Sequence, residues 1–249
     1  LEADEIATGS FKITATPETL TLRGAHVKAA QLQLGYVQSQ QLTFTAKDST
    51  FEIGQFRDFS HPAVFENCTI TGTPDTYQTH WMFGTTARSS TSRSAEVTLK
   101  GGSMTSGNAS CDFQVGAYGC PKSDTLTLTD GAAVSTHGWP AIGRFAGATG
   151  TINVVHGTFT QTHEEKYINV GEDGHGTLNV GSQGVVTTRG RLLGATATAA
   201  NINYWGEVNV EPGGVLNVGW INGGANMAAN HKALNVNGGT IRASNSSPS

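Results

Sequence analysis

An apolar–polar–apolar triplet returns along this chain, and no other feature narrows so far what it can fold into. Its clearest copy is Leu178-Asn179-Val180, within the phrase Thr177 to Gly184. Period-two alternation marks a strand with one buried face. Read down the chain, the copies are Leu20-Thr21-Leu22, Leu42-Thr43-Phe44, Cys68-Thr69-Ile70, Val97-Thr98-Leu99 and Leu126-Thr127-Leu128. They continue with Ile152-Asn153-Val154, Leu178-Asn179-Val180, Val208-Asn209-Val210 and Leu234-Asn235-Val236. Their first positions are separated by 22, 26, 29, 29, 26, 26, 30 and 26 residues.

Two further elements recur out of phase with the triplet. One is an apolar residue followed by glycine: Leu34-Gly35, Ile53-Gly54, Phe83-Gly84, Val115-Gly116, Ile142-Gly143, Val170-Gly171, Leu193-Gly194 and Val218-Gly219. The other is a lone apolar position, as at Val27, Met104, Val134, Phe159, Val186 and Ile241. Each repeat therefore carries three short strand signals separated by turns. A propeller blade needs about 40 residues, and a leucine-rich repeat needs a consensus that is absent. One turn of a parallel β-helix fits. The fold expected is all-β: a single right-handed parallel β-helix of about nine turns, its triplet polar residues in an outward column of Thr and then Asn. Residues 1–16 are expected to form an N-terminal cap or partial turn, 17–243 the coil and 244–249 a flexible tail.

Composition agrees with this reading. Charged residues make up 14% of the chain against 32 glycines, which suits tight turns and strands better than helices. The net charge is −4 with basic residues scattered, so no nucleic-acid partner is expected. No apolar run reaches membrane-helix length, so no membrane insertion by this segment is expected. Leu1 to Ser10 does not read as a signal peptide. Cys111 and Cys120 close a short loop and are expected to pair as a disulfide in an oxidising compartment. Cys68 reads as a small buried hydrophobe.

Beyond residue 150 the phrases GTINVVHGTF, GTLNVGSQGVV, GEVNVEPGGVLNVG and ALNVNGGTI share one pattern. Here the chain resembles the passenger domains of bacterial autotransporters, whose repeats build a right-handed β-helix displayed outside the cell. Phe65 to Ile70, FENCTI, is a shorter likeness to pectate-lyase-like β-helix proteins. The resemblance implies an extracellular or outer-membrane surface location. It also implies an adhesin-like role toward a host surface, extracellular matrix or glycan.

Chemistry is sparse. His163-Glu164-Glu165-Lys166 lacks the second His of an HExxH site and reads as a solvated corner. Glu172-Asp173-Gly174-His175 offers too few oxygens for calcium. No cofactor, metal or catalytic residue is expected. One column, just past the repeat glycine, mixes charge with aromatics: Gln55, Thr85, Ala117, Arg144, Glu172, Ala195 and Trp220. Tyr36, Phe56, Tyr118, Phe145, Arg57 and Asp58 lie beside it. Such a surface suits sugar rings, whose apolar faces stack while their hydroxyls hydrogen-bond. The ligand-binding residues expected are Tyr36, Gln55, Arg57, Tyr118, Arg144, Glu172 and Trp220. Only Asp58 and Glu172 offer a carboxylate pair, several turns apart, so a binding groove is favoured over a polysaccharide lyase or glycoside hydrolase. The outward Thr column also suits an ice-binding face, but Arg23, Glu96, Lys100, Glu207 and Glu211 interrupt it.

Overall fold

The computed structural model describes residues 6–13, 19–34, 42–59, 61–73, 80–84, 94–106, 112–117, 123–194, 205–222 and 232–244. Among them there is no helix; the chain is all-β and coils as a parallel β-solenoid. Every ladder between the described strands is parallel, and each strand except those at the two ends of the coil pairs with the strands one turn before and one turn after it. Three ladders run along the coil.

The first ladder stacks Thr19–Arg23, Thr43–Lys47, Ala63–Glu66, Glu96–Lys100 and Ser123–Thr129. It continues through the starts of Thr149–Gln161 and His175–Gly194 to Trp205–Val210 and Lys232–Val236. In Ser123–Thr129 the alternation is plain: Leu126 and Leu128 are fully buried while Thr125, Thr127 and Thr129 are half-exposed. Leu126 pairs with Ile152 and Ile152 with Leu178, all at 0% exposure. The triplets therefore stack as their sequence period requires.

The second ladder holds the lone apolar positions in one row. Val27, Phe51, Ile70, Met104, Val134, Phe159, Val186, Leu216 and Ile241 are successive partners. The third ladder is the short one. It includes Trp81–Phe83, Phe113–Val115, Pro140–Ile142 and Tyr167–Val170, then the ends of His175–Gly194 and Val215–Asn222.

The core changes character along the coil. Phe44, Phe51, Phe56, Phe59, Phe65, Trp81, Phe83 and Phe113 are all buried in the earlier turns. Their rings meet at centroid distances such as 4.8 Å for Phe56–Trp81 and 5.3 Å for Phe83–Phe113, within the range of favourable aromatic pairs. Phe113 hands this column to Phe159 at 5.5 Å. Beyond Phe159 the interior is Val, Leu and Ile. Each such side chain, fully buried, contributes about 1.5–3 kcal/mol from apolar area.

Glycine makes the corner between the third and first ladders. Gly143 and Gly171 have φ of +67° and +72°, a left-handed conformation that costs a side-chain-bearing residue. A Cβ on Gly143 would stand 2.1 Å from the His175 carbonyl oxygen, and one on Gly171 equally close to that of Trp205. The next turn lies directly against these corners, so both conformation and space demand glycine. At the corner between the first and second ladders, Asp48, Asn67 and Asp130 take the left-handed conformation instead. Asp and Asn tolerate it better than other residues.

Several registers differ from the sequence reading. Leu20 pairs with Phe44, not Leu42, so the second triplet is Phe44-Thr45-Ala46. The third is Ala63-Val64-Phe65, because Cys68-Thr69-Ile70 belongs to the second ladder and pairs with Ser49's neighbours and Ser103 to Thr105. A period of two identifies a strand but not which ladder it joins. Ile53 and Val218 also lie on the second ladder, so their glycines do not form the third-ladder corner. Cys68 is fully buried, and burial pushes its thiol up to about 11, which makes it an inert packing residue. Cys111 and Cys120 lie outside the described residues.

Candidate functional site

The third ladder differs from the others in what it turns outward. Its register places one file of side chains at the start of successive strands. Gln31 pairs with Gln55, and the register of Phe56 with Trp81 carries the file from Gln55 to His80. Trp81 with Phe113 brings Asp112 beside His80, and the Phe113 amide donates to the Trp139 carbonyl at 3.1 Å. Trp139 and Tyr167 follow with ring centroids 6.2 Å apart. Tyr167 pairs with Arg191 and Arg191 with Trp220. No aliphatic side chain interrupts this file.

Its two halves have different chemistry. The first is polar and internally bonded. Gln31 Nε2 donates to Gln55 Oε1 at 3.2 Å. Asp112 Oδ2 accepts from Gln114 Nε2 at 3.1 Å and from Arg144 Nη1 at 2.5 Å, and lies 3.4 Å from His80 Nδ1. Arg144 leaves the far end of its strand, after the Gly143 corner, and its Nε reaches Glu172 Oε2 at 3.7 Å. It is thus shared by two carboxylates whose surroundings push them apart. Burial acts most strongly on Asp112 and would raise it, but the His80 and Arg144 contacts together outweigh burial and hold it below the usual carboxylate range. Burial raises Glu172, and the Arg144 charge offsets this only in part.

The second half is aromatic and cationic, and it opens to solvent. Trp139 and Tyr167 are half-exposed, while Arg191 and Trp220 are exposed, Trp220 to 49%. Lys166 Nζ sits 3.5 Å from the Trp139 ring centroid, and Arg191 Cζ lies 5.5 Å from that of Trp220. Both are cation–π geometries. In and beside this file, among the described residues, buried polar atoms lack a hydrogen-bond partner: Gln33 Oε1, Arg57 Nε, Gln114 Oε1, Trp139 Nε1 and Asn169 Oδ1, while His80 Nδ1 has only its 3.4 Å ion contact with Asp112. Gln114 and Asn169 both flank Ala141 in the ladder. Buried polar groups are ordinarily satisfied by protein or water, so this ladder is where a polar partner would find unused donors and acceptors.

The first ladder presents the opposite surface. Asn179 Nδ2 donates to Asn153 Oδ1 at 2.8 Å, Asn209 Nδ2 to Asn179 Oδ1 at 2.9 Å, and Asn235 Nδ2 to Asn209 Oδ1 at 2.7 Å. This ladder also bears a broad hollow of about 520 Å³ lined by Ser94, Glu96, Thr98, Ser123, Thr125 and Thr127. The hollow offers hydroxyls and one carboxylate but no aromatic ring.

The structure gathers only part of the column expected from the sequence. Gln55 and Trp220 do share the outward file, and Arg144 and Glu172 are neighbours, but these two pairs stand at opposite ends of the strands. Arg144 reaches the file through Asp112. Arg57 pairs with Gln33 in the next row. Phe56 points inward and is fully buried. Tyr36, Tyr118, Thr85 and Ala195 lie outside the described residues, as does the side chain of Asp58. Sequence reasoning missed His80, Asp112, Trp139, Tyr167 and Arg191, and took Lys166 for part of a solvated corner. Their signal was a chemistry-bearing residue at or just before the start of each third-ladder segment. No family model matches the chain, and neither a curated protein nor a solved structure matches it.

Proposed function

We propose that this chain is a non-catalytic binding segment of an extracellular bacterial surface protein of the autotransporter passenger type. In this reading its third ladder takes a glycan of a host surface or matrix. The observation that carries the reading is the outward file Trp139, Tyr167, Arg191 and Trp220 on consecutive turns. Successive turns stand about 4.8 Å apart, so the rings offer a row of apolar platforms along the coil axis. A sugar chain lying along it stacks its ring faces on Trp and Tyr and hydrogen-bonds its hydroxyls at the edges. The regular coil serves as a rigid spacer that keeps these platforms in line. A glycan array probed with the chain and with Trp220→Ala tests this. Wild-type binding to a defined set of glycans, lost or weakened in the variant, supports it; no binding, or binding unaffected by the variant, counts against it.

One observation favours a second reading, cleavage of a polysaccharide. Asp112 and Glu172 share Arg144 and are displaced in opposite directions, the pattern by which carboxylates divide acid and base roles. Release of reducing or unsaturated ends from a polysaccharide, abolished in Glu172→Gln, would establish it. The primary reading expects no release.

A further inference from the structure

Resting on the glycan reading above, we infer that the ligand of the third-ladder file is an acidic polysaccharide. Its carboxylate or sulfate groups are taken by Lys166 and Arg191. Both cations lie on indole faces: Lys166 Nζ is 3.5 Å from the Trp139 centroid and Arg191 Cζ 5.5 Å from that of Trp220. Among the described residues neither is ion-paired to a carboxylate, whereas Arg189, on the same side of the coil, is held by Glu164. A cation over an exposed ring is weakly held, and a charge-assisted hydrogen bond to a carboxylate or sulfate is stronger. An acidic sugar residue therefore does two things at once. Its anion draws the cation off the indole, and the ring face thus freed receives the sugar's apolar face. A neutral sugar offers nothing in exchange for the cation and meets a Trp139 face already covered. The two cation–indole pairs lie along one row of the coil, with Tyr167 between them, so a repeating acidic chain engages both.

The test measures binding of the full chain to polygalacturonate, dextran sulfate and dextran by calorimetry, at low and at raised salt. Binding to at least one polyanion is expected, weakening as salt rises, with dextran much weaker. Polygalacturonate alone would assign a carboxylate ligand, and dextran sulfate alone a sulfate ligand. Lys166→Gln combined with Arg191→Gln should lower polyanion affinity about tenfold while the melting temperature stays near that of the wild type. Lys100→Gln, on the first ladder, should leave affinity unchanged. Dextran binding as tight as polyanion binding overturns the inference. So does a double variant that binds as the wild type does, or Lys100→Gln weakening binding equally. If dextran binds and Trp220→Ala abolishes that binding, the glycan reading stands and only the acidic specificity falls. If none of the three polymers binds, and a wider glycan array is also blank, both fall.

Discussion

Two outward faces of one coil solve the same problem in opposite ways. On the first ladder the exposed residue of each later turn is Asn, and each side-chain amide donates to the oxygen of the Asn one turn back. The surface satisfies itself and repeats. On the third ladder the equivalent file reads Gln, Gln, His, Asp, Trp, Tyr, Arg, Trp. After the Gln31–Gln55 pair each turn differs from the last, and buried polar atoms in and beside the file lack partners. A repeating outward residue holds neighbouring turns together; among the described residues the non-repeating stretch Trp139, Tyr167, Arg191 and Trp220 makes no such side-chain hydrogen bond. The lesson is to look for function where the repeat stops matching itself.

The largest effect that bears on this comparison comes from the corner on which both faces depend. Gly171→Ala adds a Cβ 2.1 Å from the Trp205 carbonyl oxygen in a left-handed conformation. We expect a loss of about 4 kcal/mol or more, read by denaturant unfolding, and loss of both faces together. A milder result would mean that the corner can move and that the two faces are less rigidly coupled.

Next comes Asp124, the second residue of a first-ladder strand, which is buried to 2% exposure and accepts from the Ala95 amide at 2.7 Å. Burial pushes its carboxyl up to about 7. The unfolded chain releases this proton near pH 4. Between about pH 4 and 7 the folded chain therefore binds more protons, and stability falls as pH rises. Asp124→Asn should remove this slope, a difference of about 3–4 kcal/mol between pH 4 and pH 8 in paired unfolding curves. Parallel curves for the two proteins would refute the burial argument.

Asn179→Ala breaks the self-paired face at its middle, removing both the bond to Asn153 and the bond from Asn209. Because the row is half-exposed, water takes up part of the loss. About 1 kcal/mol of destabilisation is expected, with glycan binding untouched. Trp220→Ala should do the reverse. Its ring is half in solvent, so unfolding should change by no more than about 0.5 kcal/mol while binding weakens. If Trp220→Ala instead destabilised the coil as much as Asn179→Ala, the contrast between the faces would collapse.

The sequence carried the coil well and the site poorly, for a physical reason. Inward positions recur because a buried row must be filled on every turn, so Leu126, Ile152 and Leu178 were legible, as was the row through Met104, Val134 and Phe159. Ala63-Val64-Phe65 was missed because Ala63 is a small inward residue and the apolar Val64 holds the outward place, while Cys68-Thr69-Ile70 nearby mimics the triplet. The site depends on register across corners of unequal length. Arg144 and Glu172 follow equivalent glycines, so their contact could be read by counting. Trp220 was counted from Gly219, which is not a third-ladder corner, and so its alignment with Tyr167 and Arg191 was hidden. Asp112 sits beside Cys111, and its partners His80 and Arg144 lie on other turns, so nothing near it in sequence marks its role.

The most direct test of this account is a side-by-side binding series on a glycan that the wild type captures. Trp139→Ala, Tyr167→Ala and Trp220→Ala would represent the third ladder, and Asn153→Ala, Asn179→Ala and Asn209→Ala the first. The expected result is weakened binding in every third-ladder variant and wild-type affinity in every first-ladder variant that remains folded. Loss of affinity confined to the Asn variants, with the aromatic variants binding normally, would contradict it.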